Sequence, residues 1–278
     1  MADTKIEWAT KVWNPITGCT KISGGCQNCW AFRMSKRLAG RYGYPKDNPF
    51  AVTLRPERLE EPLHWKKPQR IFVCSMGDLF HENVPDDFID EVFATMFLSP
   101  QHIFLVLTKR AKRMKKYMDL KTDNREESIG EKIRNRTRGN HSGLIELPFN
   151  NIYIGVSVED QKTADERIPL LLQTTAVNRF VSYEPALGLV NFRNYLYHDD
   201  CYDFDCDSLA CSMTSIGRAL DWLIMGAETS HGSRNMHPDW ARKVRDDCKA
   251  AGVAFFMKQM SKKASIPEDL MIKESPNG

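Results

Sequence analysis

Two observations predict an α/β fold of repeated βα units, a (β/α) barrel that is either complete or open. From residue 71 onward, short apolar runs rich in Val, Ile and Phe alternate with stretches of helical periodicity. Those runs are also continuous in their hydrophobicity, as expected of strands covered on both faces. With 278 residues the chain can bury a substantial core, and it is read as a single domain over 1–278. The opening segment MADTKIEWAT contains no apolar leader, and no later run approaches the roughly 18 apolar residues that span a bilayer. A soluble, cytoplasmic protein with no membrane partner is therefore expected.

The elements are legible in order. KIEWATKVW provides a strand leading into a cysteine loop, and NCWAFRMSKRLAGRYG, residues 28 to 43, reads as a helix launched from that loop. Six further strands are predicted at 71–76, 102–108, 152–158, 179–184, 222–228 and 253–259. DDFIDEVFATMF places Phe88, Ile89, Val92, Phe93 and Met96 at helical spacing behind Pro85 and Asp86. TADERIPLLLQ follows the 152–158 strand, and HPDWARKVRDDCKAAG starts on Pro238 and stops on Gly252, a natural left-handed cap. Two stretches break the pattern and read as insertions: the polar, basic 119–147 and the cysteine-containing 191–219. In barrels of this kind, functional residues gather at the C-terminal ends of the strands.

Eight cysteines are many for a reducing compartment, where metal ligation or buried thiols are favoured over disulfides. Three of them, Cys19, Cys26 and Cys29, form C-x6-C-x2-C on a glycine-rich loop with no fourth cysteine nearby. Three thiolates hold three corners of an iron–sulfur cube and leave one iron open, whereas a closed cluster or a structural zinc takes four protein ligands. A zinc knuckle completed by a distant His or Cys, and plain buried thiols, are the alternatives. Cys74, within a strand, and Cys248, on a helix, read as small buried hydrophobes.

The motifs WNPITGC, SGGCQNCWAF, SMGDLFHENVP, LTKR, GVSVEDQ and MHPDW occur in that order along nearly the whole chain. In this it resembles the phage-associated three-Cys-motif family of radical-SAM-like proteins. The resemblance implies a 4Fe-4S cluster on Cys19, Cys26 and Cys29, with S-adenosylmethionine chelating the open iron. Electron transfer from a donor such as flavodoxin or ferredoxin would then cleave the sulfonium and generate a 5′-deoxyadenosyl radical. The cofactor carries this chemistry while the protein orients it and excludes competing reactions. Backbone amides of Gly18, Gly24 and Gly25 would tune the cluster sulfurs. The spacing departs from the C-x3-C-x2-C usual in radical SAM enzymes at large, and Asn28 rather than an aromatic precedes the last cysteine, so adenine stacking does not carry over to Trp30.

The resemblance places Asp78, assisted by Ser75, at the methionyl amino group. A cation near the carboxylate would balance that zwitterion, and Lys109 is the candidate. Ser157, Glu159, Glu184 and Glu228, also at strand ends, are candidates for ribose, substrate or proton transfer, with N-cap and loop carboxylates as the plain alternative. No catalytic residue is singled out, and His81 and His237 are read as loop and helix-start residues. Cys201, Cys206 and Cys211, at C-x4-C-x4-C in an acidic insertion, are candidates for a second metal.

The net charge of +3 demands no polyanionic partner, but KRAKRMKKYM with Arg125, Lys132, Arg134, Arg136 and Arg138 predicts a positive rim suited to phosphate. Its single Tyr117 argues against a stacking platform there. These features lead to a radical-SAM-like enzyme that modifies a nucleic-acid base or nucleotide, with DNA, RNA, a nucleotide or a partner protein as the other component. Two rivals use the same residues: a zinc-stabilised nucleic-acid-binding or adaptor protein, and a hydrolase or lyase using the carboxylates with a divalent metal.

Overall fold

The computed structural model describes residues 4, 6–119, 124–139, 147–197, 219–229 and 232–276, with the backbone alone at 263. The protein has a mixed α/β fold. Its strands are β1 (Lys11–Trp13), β2 (Ile16–Thr17), β3 (Thr53–Leu54), β4 (Arg70–Val73), β5 (Ile103–Thr108), β6 (Ile152–Val158), β7 (Asn178–Tyr183), β8 (Trp222–Gly226) and β9 (Ala254–Gln259). The helices are α1 (Trp30–Leu38), α2 (Asp86–Phe97), α3 (Ala111–Tyr117), α4 (Arg125–Arg136), α5 (Gln161–Leu172), α6 (Arg193–Leu196) and α7 (Pro238–Ala251). The main sheet runs β1-β4-β5-β6-β7-β8-β9, so its strands follow chain order, the connectivity of successive βα units. None of the helices among the described residues is long and apolar enough to cross a membrane.

The chain divides into two compact units, residues 1–156 with 173–178 and residues 157–172 with 179–278. In the first, β1, β4, β5 and β6 pair in parallel, with Lys11 opposite Ile71, Ile71 opposite Phe104 and Phe104 opposite Ile152. β2 and β3 form a separate antiparallel pair. Trp13, Ile71, Phe80, Phe93 and Phe104 are fully buried, and Trp13 donates its indole N–H to the Arg58 carbonyl at 2.8 Å, which removes the cost of burying that donor. In the second unit β7, β8 and β9 pair in parallel around Phe180, Tyr183, Phe192, Trp222 and Phe255. Every residue of β6 and of β8 is buried, matching their uninterrupted apolar sequences.

Residues 152–158 and 86–97 have the predicted bounds; the other predicted elements differ at their ends, with β4, β7 and α5 beginning one or two residues earlier and the rest trimmed. The first helix ends at Leu38 rather than Gly43 because Gly40, Tyr42 and Gly43 all take left-handed φ values. α7 begins on Pro238, His237 accepts from the Asp239 N–H at 3.3 Å, and Gly252 closes it at φ 66°.

The predicted basic insertion, 119–147, is not without regular structure. It contains the twelve-residue α4, which packs on α2. Charge explains the pairing: α2 presents Asp86, Asp87, Asp90 and Glu91, and α4 answers with Arg125 on Asp86 (2.7 Å), Lys132 on Asp87 (2.5 Å) and Arg136 on Glu91 (2.5 Å). Buried Asp90 accepts from Tyr117 at 2.7 Å, and from Arg125 and Ser128. Burial, then that carboxylate, hold the Tyr117 phenol well above its usual value, so it serves as a neutral donor. Of 191–219, the described part contains the short α6; residues 198–218 lie outside the described residues.

Asp90→Ala would strand the Tyr117 and Ser128 hydroxyls and part of Arg125 in the interior. Equilibrium urea unfolding is expected to show a loss of about 3 kcal/mol or more, against a change within about 0.5 kcal/mol for exposed Glu131→Ala.

Candidate functional site

The cysteine loop is held against the ends of β4 and β5 in the first unit. After β1, Asn14 accepts from the Ser75 hydroxyl at 3.2 Å and the Met76 N–H at 2.9 Å. Gly18 donates to the Met76 carbonyl at 2.8 Å and bridges to Gly77, while Cys19 donates its N–H to the Phe50 carbonyl. Gly18 is obligatory there: its φ is 88°, and a Cβ would lie 2.0 Å from the Ala51 carbonyl oxygen. A 3-10 turn covers Gly24–Cys26, and Cys29 occupies the N-cap of α1, packed beside Ala31, Tyr44 and Met76. All three loop cysteines are free thiols and partly exposed.

Arg110 organises this region. Buried behind Thr108, it donates to Cys19 Sγ (3.3 Å), Asp78 Oδ2 (3.1 Å), Glu82 Oε2 (2.9 Å), Thr20 Oγ1 (2.8 Å) and the Thr20 carbonyl (3.2 Å). Asp78, also buried, accepts in addition from the Thr108 hydroxyl (2.7 Å) and the Phe80 and Lys109 N–H groups (3.0 and 3.3 Å). Its carboxylate thus receives four donors, about the number of lone-pair positions it has. Asp78 therefore holds Arg110 and the β5 end in place, and a ligand ammonium would have to displace one of these donors.

Ser75 bonds Asn14, and Lys109 contributes its charge near Cys26. His81 is buried, with Nδ1 accepting from the Asn83 N–H (3.1 Å) and Nε2 facing Thr20 Oγ1 at 2.9 Å; burial, then the Arg110 charge, lower its basicity. His81 is thus the loop residue read from the sequence, and it is buried rather than at the surface.

The thiols are not equivalent. Burial, then the Asp78 carboxylate, push Cys19 up to about 11, with Arg110 opposing. Burial also raises Cys26, but backbone hydrogen bonds at Ile22 and Ser23 and the Lys109 charge outweigh it and leave this thiol below its usual value. Cys74 and Cys248 are buried and raised by desolvation, as expected of inert core thiols.

The remaining predicted residues lie in the second unit. Buried Glu159 is paired with Arg167 at 3.2 Å, which also donates to the Ser157 carbonyl at 2.6 Å. Ser157 donates to the Glu184 carbonyl at 3.0 Å. Glu228 accepts the Arg234 N–H at 2.9 Å and its guanidinium. Glu184 differs: Oε2 meets Lys258 at 2.5 Å, while Oε1 is buried with no hydrogen-bond partner. Gly226 makes room for it, since a Cβ there would lie 3.3 Å from the carboxyl group. Among these strand-end carboxylates, Glu184 has acceptor capacity to offer a ligand. Cys201, Cys206 and Cys211 lie outside the described residues.

Sequence reasoning missed Arg110, Thr20, Arg167, Arg234 and Lys258. Arg110 had a signal, since it stands two residues past a strand-end threonine, but within KRAKRMKK it reads as surface charge.

A family model described as "Protein of unknown function (DUF5131)" matches residues 3–274. The chain belongs to this family. No curated protein and no solved structure matches it. The family match spans both units, the cysteine loop and every strand-end residue described above.

In the metal-free protein, iodoacetamide is expected to label Cys26 near neutral pH ahead of Cys19, whose thiolate forms only as pH approaches about 11. Peptide mass spectrometry after timed labelling reads the order, and Cys19 reacting first would contradict the geometry. Gly18→Ala should speed Cys19 labelling, because displacing the loop relieves the burial that holds this thiol up.

Proposed function

We propose that the protein is a radical-SAM-like iron–sulfur enzyme on a barrel-type scaffold, with Cys19, Cys26 and Cys29 as the cluster ligands and a nucleic-acid base or nucleotide as substrate. The observation that carries this reading is the loop itself: three free, partly exposed thiols within eleven residues, ordered by Gly18, Asn14 and Arg110. When bound, a 4Fe-4S cluster with S-adenosylmethionine on its open iron would supply reductive cleavage and radical initiation.

Three thiolates on one loop are the donor set that leaves one iron of a cubane open, whereas a structural zinc takes four protein ligands. Among the described residues no three His, Cys, Asp or Glu side chains converge to hold a single ion. A cubane asks for wider spacing of its thiolates, because each meets a different iron, whereas tetrahedral zinc takes all its ligands on one ion. Arg110 would hold Cys19 and offset negative charge on the loop, and Lys109 would favour the Cys26 thiolate. Glu184, through Oε1, is the strand-end group in the second unit best able to accept a hydrogen bond from a ligand. An external one-electron donor completes the scheme.

Anaerobic reconstitution is expected to yield about four iron and four sulfide per chain. Dithionite reduction should give a cubane EPR signal that changes on adding S-adenosylmethionine. Alanine at Cys19, Cys26 and Cys29 together should abolish both. Stoichiometric zinc with no cluster would replace this reading by the zinc-stabilised one.

A further inference from the structure

Part of the basic stretch prominent in the sequence is consumed by the fold, and a second block of positive charge lies elsewhere. Arg110 is buried on Asp78 and Glu82, and Arg113, Arg125, Lys132 and Arg136 are paired with α2 carboxylates. Residues 8–46, by contrast, hold seven Lys and Arg and no Asp or Glu. This stretch of +7 stands in a chain of net +3, so the remainder sums to −4.

α1 sorts these residues by helical spacing. Ala31, Met34, Ser35 and Leu38 form the inward stripe, with Met34 and Leu38 packed on the Ala31, Tyr44 and Met76 cluster. Trp30, Arg33 and Arg37, at i, i+3 and i+7, form an outward one. Lys21, Arg33, Lys36, Arg37 and Arg41 are exposed, and among the described residues none of them pairs with a carboxylate. Lys21 and Lys36 instead lie over the Phe32 ring, at 5.3 and 4.5 Å.

Two aromatic rings stand among these cations. Trp30, directly after Cys29, is 55% exposed, and Tyr42 is 75% exposed. Tyr42 is held at φ 51°, a conformation costly for a bulky side chain. The turn is fixed by Arg55, which donates to the Gly43 carbonyl at 2.8 Å and fills the space a Gly43 Cβ would need. The fold thus spends backbone strain where it presents an aromatic ring to solvent.

We infer that the surface formed by the cysteine loop and α1 binds single-stranded nucleic acid, its cations meeting phosphates while Trp30 and Tyr42 stack on bases. Exposed flat rings interleaved with arginines are the features single strands use, because every unpaired base offers a π-face whereas duplex bases keep theirs covered. As a substrate surface it rests on the activity proposed above. As a binding surface it does not, since none of its side chains is a cluster ligand.

The test is fluorescence anisotropy of the full chain without cluster. The probes are labelled mixed-sequence single-stranded DNA and RNA of about 20 nucleotides, measured between about 50 and 200 mM salt. Binding is expected to weaken steeply with salt. Arg33→Glu with Arg37→Glu should weaken it at least about tenfold and reduce the salt slope by about 1.4, two phosphates at about 0.7 each. Trp30→Ala and Tyr42→Ala should each cost about fivefold or more. Arg33→Lys with Arg37→Lys should retain most binding, and Lys112→Glu with Lys116→Glu on α3 should leave it unchanged. Thermal melts check that each variant is folded.

Absence of binding at low salt, equal affinity for duplex, or indifference to the Arg33/Arg37 reversal would overturn the inference. So would competition by polyglutamate equal to that of the strand together with a neutral Trp30→Ala, which would indicate an acidic protein partner instead. Iron loading measured on the same samples separates the two readings. Clusters without strand binding sink the surface alone, and strand binding without clusters sinks the radical chemistry alone.

Discussion

The buried contact between Arg110 and Asp78 is the constraint on which the cysteine loop depends. Asp78 lies beyond β4 and Arg110 just beyond β5, so their pairing ties two neighbouring strand ends together. A buried pair of this kind is tolerable only when its remaining donors and acceptors are satisfied. Thr108 and two backbone N–H groups complete Asp78, and Glu82, Thr20 and Cys19 complete Arg110. The loop is thus part of the solution to a desolvation problem at the sheet end, and Cys19 is placed by it.

The same accounting separates structural charge from available charge. α2 and α4 neutralise each other, and Glu159, Glu228 and Asp78 each have a guanidinium partner. Among the described residues, Glu184 Oε1 in the second unit is buried without a hydrogen-bond partner, and in the first the cations of α1 stand beside two exposed rings. A polar group whose capacity is filled by the fold has little left for a ligand, and these groups keep capacity to offer.

Much of the fold was legible because strand and helix periodicity is local. IYIGVSV and DDFIDEVFATMF declare their element and bounds through hydrophobic pattern alone, and Pro238 with Gly252 mark both ends of α7. The shortness of α1 was not legible, because the left-handed turn that follows it is held by Arg55, distant in sequence, through the Gly43 carbonyl. Nor was α4: its sequence is strongly polar, and its stability comes from carboxylates about forty residues earlier.

For the site, the sequence by itself determined which atoms are present. Three thiols stand within one short loop, a glycine precedes the first of them, and polar residues follow each strand. Only the tertiary structure decided which of those groups are occupied. Lys109 and Arg110 are adjacent and alike in composition, yet one directs its charge toward Cys26 while the other is buried among five acceptors. The physical reason is that hydrogen-bond capacity and desolvation depend on what lies within a few ångströms in space, and those neighbours come from β4, β5 and the cysteine loop, far apart along the chain.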